Sequence, residues 1–303
     1  MRVGAIIPTF AASAPIDPAQ LRRIARLAED GGLDHLFVGD HLLWNVGILS
    51  PTVALAHLAA VTERIELGIS VYLLPLRHPI IAAKEIASVD VVSGGRLILG
   101  VGAGGDDPLE YEALGVDLRG RGAQMEEGVT ALRTLLSAEP SSLSGRFGEI
   151  PPVRLEPRPV RTPPIWMGGR APQVVDRAAR LADGWFPVWI SPERYSSERE
   201  RVLEVREPGD FTFALNLFTS IGATREAARA AVAQHMESAY RLDFASFEKY
   251  VAYGTAADIL EFIDDYATAG VTDLVLNLVG PDPHEQLEAL LTQVVKPLRL
   301  NRL

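Results

Sequence analysis

Between residues 67 and 105 the chain runs through a strand, a helix, a second strand and a glycine loop without a break. Leu67-Gly68-Ile69-Ser70-Val71-Tyr72-Leu73-Leu74-Pro75 is an apolar run with the character of a buried strand. A helical stretch starts at His78 and closes at Ser93-Gly94-Gly95, where glycine can take the left-handed cap. Leu97-Ile98-Leu99 then empties into Gly100-Val101-Gly102-Ala103-Gly104-Gly105. In parallel α/β folds the carboxyl edge of the strands is where cofactors sit. The loop has two readings: a tight turn that needs positive φ, or a ligand loop whose bare backbone approaches a flat or anionic molecule. It departs from the dinucleotide fingerprint, because Asp106-Asp107-Pro108 stand where a pyrophosphate-binding helix should open.

The same alternation extends from end to end. Strand candidates are 3–7, 35–38, 65–71, 97–101, 165–167, 185–188, 211–219 and 274–278, with helical patterns between them. Eight such runs predict an α/β fold, a (β/α)8 TIM barrel, over a single domain of residues 1–303. Leu21, Ile24, Ala25 and Ala28 form the stripe of a helix packed on a sheet. Ile259, Phe262, Ile263 and Tyr266 repeat it, as do Leu287, Leu290, Leu291 and Val294. Asp17-Pro18 and Ser50-Pro51 place a capping side chain before a proline in the first turn, and Thr255 with Asp258 resembles a capping box. Two segments exceed the bare alternation. Residues 137–164, rich in proline, glycine and serine, read as a surface excursion, and 236–253 as a helical insertion.

Composition excludes several classes of function. The net charge of −10 argues against nucleic acid, which requires a basic surface. No apolar run approaches the ~20 residues of a membrane helix, and no signal-peptide pattern precedes the first strand. The absence of cysteine removes disulfides, thiolate catalysis and cysteine-ligated metal. A cytoplasmic protein is the expectation. The 52–61 helix is unusual in that His57 is its only strongly polar residue, so an insertion or a second subunit should cover it.

Chemistry-bearing residues gather after the second strand, in Asp40-His41 and Trp44. Asp40 can accept a hydrogen bond from a cofactor or substrate, His41 can donate or accept a proton, and Trp44 offers a flat apolar wall. The plainer alternative is a turn-capping aspartate, a histidine satisfied by backbone and a core tryptophan. His35, His57, His78, His235 and His284 lack metal-ligand spacing and are assigned structural roles, with no metal expected.

With these residues in view, the chain resembles the bacterial luciferase-like monooxygenase superfamily, especially its coenzyme F420-dependent (deazaflavin) oxidoreductases. The resemblance rests on Asp40-His41 with Trp44, on Gly68-Ile69-Ser70-Val71 continuing to Pro75-Leu76-Arg77-His78-Pro79, and on Ser93-Gly94-Gly95-Arg96-Leu97 through Gly104. Trp166-Met167-Gly168-Gly169 and Ala182-Asp183-Gly184-Trp185 follow in the family's order. It implies a barrel with extra segments, a homodimer, and a reduced flavin or deazaflavin at the carboxyl edge. By it Asp40 would touch the ring and His41 would stand near its reactive carbon. Ser70–Val71 would form the bulge behind the ring, often a non-prolyl cis peptide in relatives. Ala103 and Gly104 would lie beside the cofactor, and Gly168 and Gly169 against its phosphate region. Arg170 would either pair an anionic tail or be a solvated surface arginine. One departure stands out: Gly105 replaces the glutamate of the family's sugar-phosphate dehydrogenases. Asp106, Asp107 and Glu110 lie nearby, but spacing alone puts none of them on a substrate.

The leading expectation is an oxidoreductase that moves a hydride between F420 and a small organic substrate, with His41 and Trp44 as catalytic residues. The alternatives are a monooxygenase using reduced flavin mononucleotide (FMN) and oxygen, or a non-catalytic binding relative. Trp44, Trp185 and Trp189 suggest an aromatic-walled substrate cavity.

Overall fold

The computed structural model describes residues 1–11, 15–104, 107–137, 139–207 and 209–300. Strands β1 (Arg2–Ile6), β2 (His35–Val38), β3 (Glu66–Leu73) and β4 (Leu97–Gly102) alternate with helices α1 (Pro18–Asp30), α2 (Pro51–Ala59) and α3 (Pro79–Ser93). After β4 come α4 (Leu109–Ala113), α5 (Arg121–Leu135) and an antiparallel hairpin of β5 (Ser141–Gly145) and β6 (Gly148–Val153). The alternation resumes with β7 (Ile165–Gly168), α6 (Pro172–Leu181), β8 (Gly184–Phe186), α7 (Pro192–Leu203), β9 (Thr212–Ile221) and α8 (Arg225–His235). It ends with β10 (Ala252–Gly254), α9 (Ala256–Thr268), β11 (Asp273–Leu278), α10 (Pro283–Leu290) and α11 (Lys296–Leu300).

The sheet order is β10-β9-β11-β1-β2-β3-β4-β7-β8, and a β8–β9 pairing closes it. Eight parallel strands therefore make a (β/α)8 barrel, and each overlaps one of the eight expected runs. Strand β10 stands outside the ring, paired with the carboxyl end of β9. The 236–253 segment is thus not wholly helical: it starts with a π turn, Met236–Tyr240, and finishes in this added strand. The 137–164 excursion holds the β5–β6 hairpin.

Large and absent side chains are matched across the barrel interior. Ile6, Phe37, Ile98, Trp166, Phe186, Ala214 and Val275 form a cluster, with Val71 packed against it. They fit because glycines face them, since a Cβ on Gly68 would collide with the Phe37 ring and one on Gly184 would meet Trp166. Outside the ring, the α1 stripe is buried, as are Ile259, Ile263 and Tyr266 of α9. Phe262 is only partly buried. Asp17 caps α1 by accepting from Ala19 N, and Thr255 with Asp258 closes a capping box on α9. Ser50 corrects the sequence reading: its hydroxyl makes no cap bond and lies 3.3 Å from Thr52 Oγ1.

At the amino-terminal end of the barrel, Gly4 leaves room for the His35 ring. His35 is fully buried, edge-on to Phe37 and Trp166, with Nε2 unpartnered. Burial, reinforced by the Arg2 charge, lowers its pKa to about 3. Between that value and about 6.5 the unfolded chain takes up a proton that the folded chain refuses. Stability therefore falls as pH drops through this window, by at most about 1.4 kcal/mol per pH unit from this group. His35→Leu should remove that component. Denaturation midpoints of the variant and wild type at pH ~7 and ~4.5 should then converge as the pH falls; a constant gap would contradict the assignment.

Candidate active site

Four strand ends bring the site together, and the side chains differ in how they are held. His41, just past β2, places Nδ1 2.9 Å from Glu110 Oε2, and Glu110 is buried at the start of α4. The other Glu110 oxygen accepts from Leu42 N at 2.5 Å and Leu43 N at 3.1 Å. Burial opposes ionisation of Glu110, but these donors prevail and hold its pKa below the ordinary carboxylate value. An ionised Glu110 accepts from Nδ1–H and leaves His41 Nε2 as the outward nitrogen. Trp44 stacks on the His41 ring with centroids 3.8 Å apart and an interplanar angle of 17°. Its indole N–H donates to Ala239 O at 2.8 Å, which ties this loop to the insertion.

Asp40 lies beside His41 in sequence but has different work. Its side chain is 0% exposed, one oxygen accepts from Leu73 N at 2.8 Å, and Arg77 Nη1 lies 2.7 Å from the same oxygen. Arg77 Nη2 donates to the other oxygen at 2.8 Å, and the guanidinium sits 4.0 Å over the Tyr72 ring. A carboxylate so covered is not presented to a ring in the barrel mouth. The Asp40 carboxylate, expected to accept a hydrogen bond from the cofactor, is held here in a buried ion pair that binds the ends of β2 and β3 together.

The peptide between Ser70 and Val71 is cis, as the Gly-x-Ser-Val match implied. It coincides with a shift of the β3–β4 register between Ile69 and Tyr72. Val71 sits in the barrel mouth, where Gly102 and Gly168 receive it. A Cβ on Gly102 would collide with Val71, one on Gly168 would stand 2.9 Å from it, and one on Gly100 would strike Ile69 O. The glycine loop thus serves close packing as well as turning, and its end does turn with positive φ, 86° at Gly104. Ser70 Oγ accepts from Asn216 Nδ2 at 3.2 Å, and Asn277 Nδ2 donates to Asn216 Oδ1 at 3.3 Å. These three polar side chains cross the barrel above its apolar layer.

Ser70, Val71, Ala103, Gly104, Gly168, Gly169 and Arg170 are all half-buried along this rim. Gly169 O accepts from Trp185 Nε1 at 2.8 Å. Arg170 gives Nη1 to Trp189 O at 3.0 Å and Val188 O at 3.5 Å, so it is anchored on the loop after β8. Trp185 does not line a cavity. It is fully buried and stacked on Tyr195, whereas Trp44 and Trp189 are half-buried. Gly105 and Asp106 lie outside the described residues. Glu110, Arg77, Asn216, Asn277 and Tyr240 are site residues that sequence reasoning left unassigned. Glu110 alone gave a signal, a carboxylate close behind the glycine loop. No metal-binding group of side chains occurs among the described residues, and none of their helices is long and apolar enough to cross a membrane.

A flat ring system suits this rim: a convex Val71 shelf, glycines without side chains on either side, and one hydroxyl held by an amide chain. The comparisons with known proteins agree with that geometry. An uncharacterized protein of Mycobacterium tuberculosis is 34% identical over 174 residues, 57% of this chain. The match spans only 60% of that relative's length. The F420-dependent glucose-6-phosphate dehydrogenase of Kineococcus radiotolerans is 26% identical over 93% of this chain and 94% of its own. The crystal structure of monooxygenase RslO1 from Streptomyces bottropensis superposes with a TM-score of 0.87 at 22% identity, covering 98% of this chain and all of that one. Residues 1–278 match the family described as luciferase-like monooxygenase. With a family match over residues 1–278, a closed parallel barrel and a bulged Ser70–Val71 peptide over glycines, this chain belongs to the luciferase-like monooxygenase family of oxidoreductases.

Proposed function

We propose that the protein is an F420-dependent oxidoreductase acting on a small organic substrate, with His41 as the proton-handling residue. The observation that carries this reading is the His41–Glu110 pair at the mouth of a rim shaped for a flat ring. The near end-to-end match to an F420-dependent dehydrogenase supports the deazaflavin as a candidate ring. When bound, a deazaflavin supplies the hydride and reacts poorly with oxygen; the protein positions both reactants and handles a proton. Strand register sets Val38 beside Ile69, so His41 and Val71 leave neighbouring strand ends. Val71 and the glycines would support the ring from behind, Ser70 would donate toward its polar edge, and the backbone of Gly168 and Gly169 would face its anionic tail. Glu110 fixes the His41 tautomer, and the Trp44 stack fixes the ring plane. His41 Nε2 is then free to give or take a proton at the substrate.

Titration of the purified protein with F420 and with FMN tests the reading. Saturable F420 binding, followed by turnover with an enone or carbonyl acceptor, is expected. Tight binding of FMN without F420 affinity would instead assign the chain to the family's oxygen-using members.

A second copy of the chain completes the proposal. Val53 on α2 is 64% exposed, and Ile81 and Val92 on α3 are 56% and 59% exposed. The two helices pack together, and exposed apolar side chains on both of them suit burial against a second copy. Sedimentation should give twice the chain mass of 32.8 kDa. Val53→Asp combined with Ile81→Asp should shift it to the monomer, and a wild-type monomer at micromolar concentration would refute the dimer.

A further inference from the structure

The aromatic side chains at the barrel mouth form one connected wall, and we infer that it binds a planar aromatic substrate bearing a carbonyl-type acceptor oxygen. The inference takes from the proposed function only the position of the reacting end, at His41.

Tyr240, from the insertion, is the hub of the wall. Its ring centroid lies 6.3 Å from Phe10, 6.0 Å from Trp44, 6.4 Å from Trp189 and 5.7 Å from Phe218. Phe247 extends the wall, 4.6 Å from Trp189. At the other end Trp44 is stacked on His41, so the wall begins at the proton-handling residue. Phe10 is seated directly on Gly39, where a Cβ would stand 2.9 Å from its ring. These side chains come from the loops after β1, β2 and β8, from β9 and from the insertion, segments that have little else in common.

A sealed core of this size would exclude water, as it does around Trp185 and Phe186. Here Phe10, Trp44, Trp189, Tyr240 and Phe247 all stay half-buried, so part of each residue remains accessible. Aromatic faces and edges prefer another π system to a saturated chain. The wall also carries hydrogen-bond donors without acceptors. Trp189 Nε1 is buried and has no partner among the described residues, and the Tyr240 hydroxyl makes no hydrogen bond among them. Burial pushes the Tyr240 pKa well above its ordinary value, which keeps that hydroxyl protonated and donating. An acceptor oxygen on the substrate satisfies such donors.

Charge points the same way. A phosphorylated sugar calls for unengaged cations, whereas Arg77 is committed to Asp40 and Arg170 to two backbone carbonyls. Glu110, the carboxylate paired with His41, is buried and taken by His41 and two backbone donors. The wall therefore suits a neutral ligand.

Equilibrium dialysis of the full chain without coenzyme tests this, so a failure of F420 to bind leaves it standing, and its failure leaves the coenzyme reading standing. The probes are 2-acetonaphthone, its saturated counterpart 2-decalone, naphthalene and glucose 6-phosphate. Saturable binding of 2-acetonaphthone is expected, with 2-decalone at least about tenfold weaker and no competition from glucose 6-phosphate. Tyr240→Leu should weaken 2-acetonaphthone about tenfold. Tyr240→Phe preserves the packing if the leucine variant does not fold; it should weaken the ketone severalfold and leave naphthalene unchanged. Equal affinity for 2-decalone, competition by glucose 6-phosphate, or a Tyr240→Phe protein that binds the ketone like wild type would each overturn the inference.

Discussion

Replacement of His41 by alanine is expected to lower kcat by roughly 10²–10⁴ while coenzyme affinity stays within about tenfold. The magnitude is that of a positioned acid–base group, and the selectivity follows from where the imidazole is anchored. Glu110 holds His41 from behind and Trp44 holds it from the side, so neither the Val71 shelf nor the glycine rim depends on it. Glu110→Gln is the sharper companion. Its amide can still face Leu42 N and Leu43 N through the oxygen, but it no longer imposes Nδ1–H on His41. The variant should fold normally, lose part of the same rate, and shift the pH profile of kcat. Glu110→Ala should in addition destabilise the protein by ~1–3 kcal/mol, because two backbone donors lose their acceptor. Full turnover in His41→Ala would remove the catalytic assignment and leave the fold intact.

Arg77→Met should cost about 3–5 kcal/mol of stability, since it strands the Asp40 carboxylate, 0% exposed, without its partner. The pair of Arg64 with Glu29 supplies the control. Arg64 is 69% exposed and 3.8 Å from its carboxylate, and Arg64→Met should change stability by less than about 1 kcal/mol. Denaturant midpoints of the two variants measure the contrast, and equal midpoints would show that the Asp40 pair is not structurally important. Asp40→Ala should behave like Arg77→Met, losing stability and coenzyme binding together, because the ends of β2 and β3 would no longer be tied at Leu73. Weakened binding at unchanged stability would instead return Asp40 to direct contact with the ring.

Hydrophobic periodicity made the barrel legible. Several of the eight strand runs are apolar throughout, and the α1 stripe of Leu21, Ile24, Ala25 and Ala28 is buried as its spacing requires. Local signals of that kind depend on neighbours a few residues apart, which is all that a linear pattern can report. The same holds for Gly94, left-handed at the end of α3, and for the Thr255–Asp258 box. Ser50 failed as a cap because its hydroxyl had a competing partner in Thr52.

The site divides along the same line. Sequence by itself placed Asp40, His41 and Trp44 just past the second strand, because they follow an apolar run, while the family resemblance implied the Ser70–Val71 bulge. Only the tertiary structure decided which of them face the mouth. Asp40 and Glu110 are both acidic residues near a glycine or a turn, and nothing local separates them. Arg77, 37 residues from Asp40, neutralises the first; His41, 69 residues from Glu110, claims the second. Trp185 and Trp189 are likewise four residues apart, yet one is sealed against Tyr195 and the other stands in the wall with Phe218 and Phe247. A charge or a ring acquires its role from the partner that reaches it through space, and barrel closure brings those partners from strands far apart in the chain.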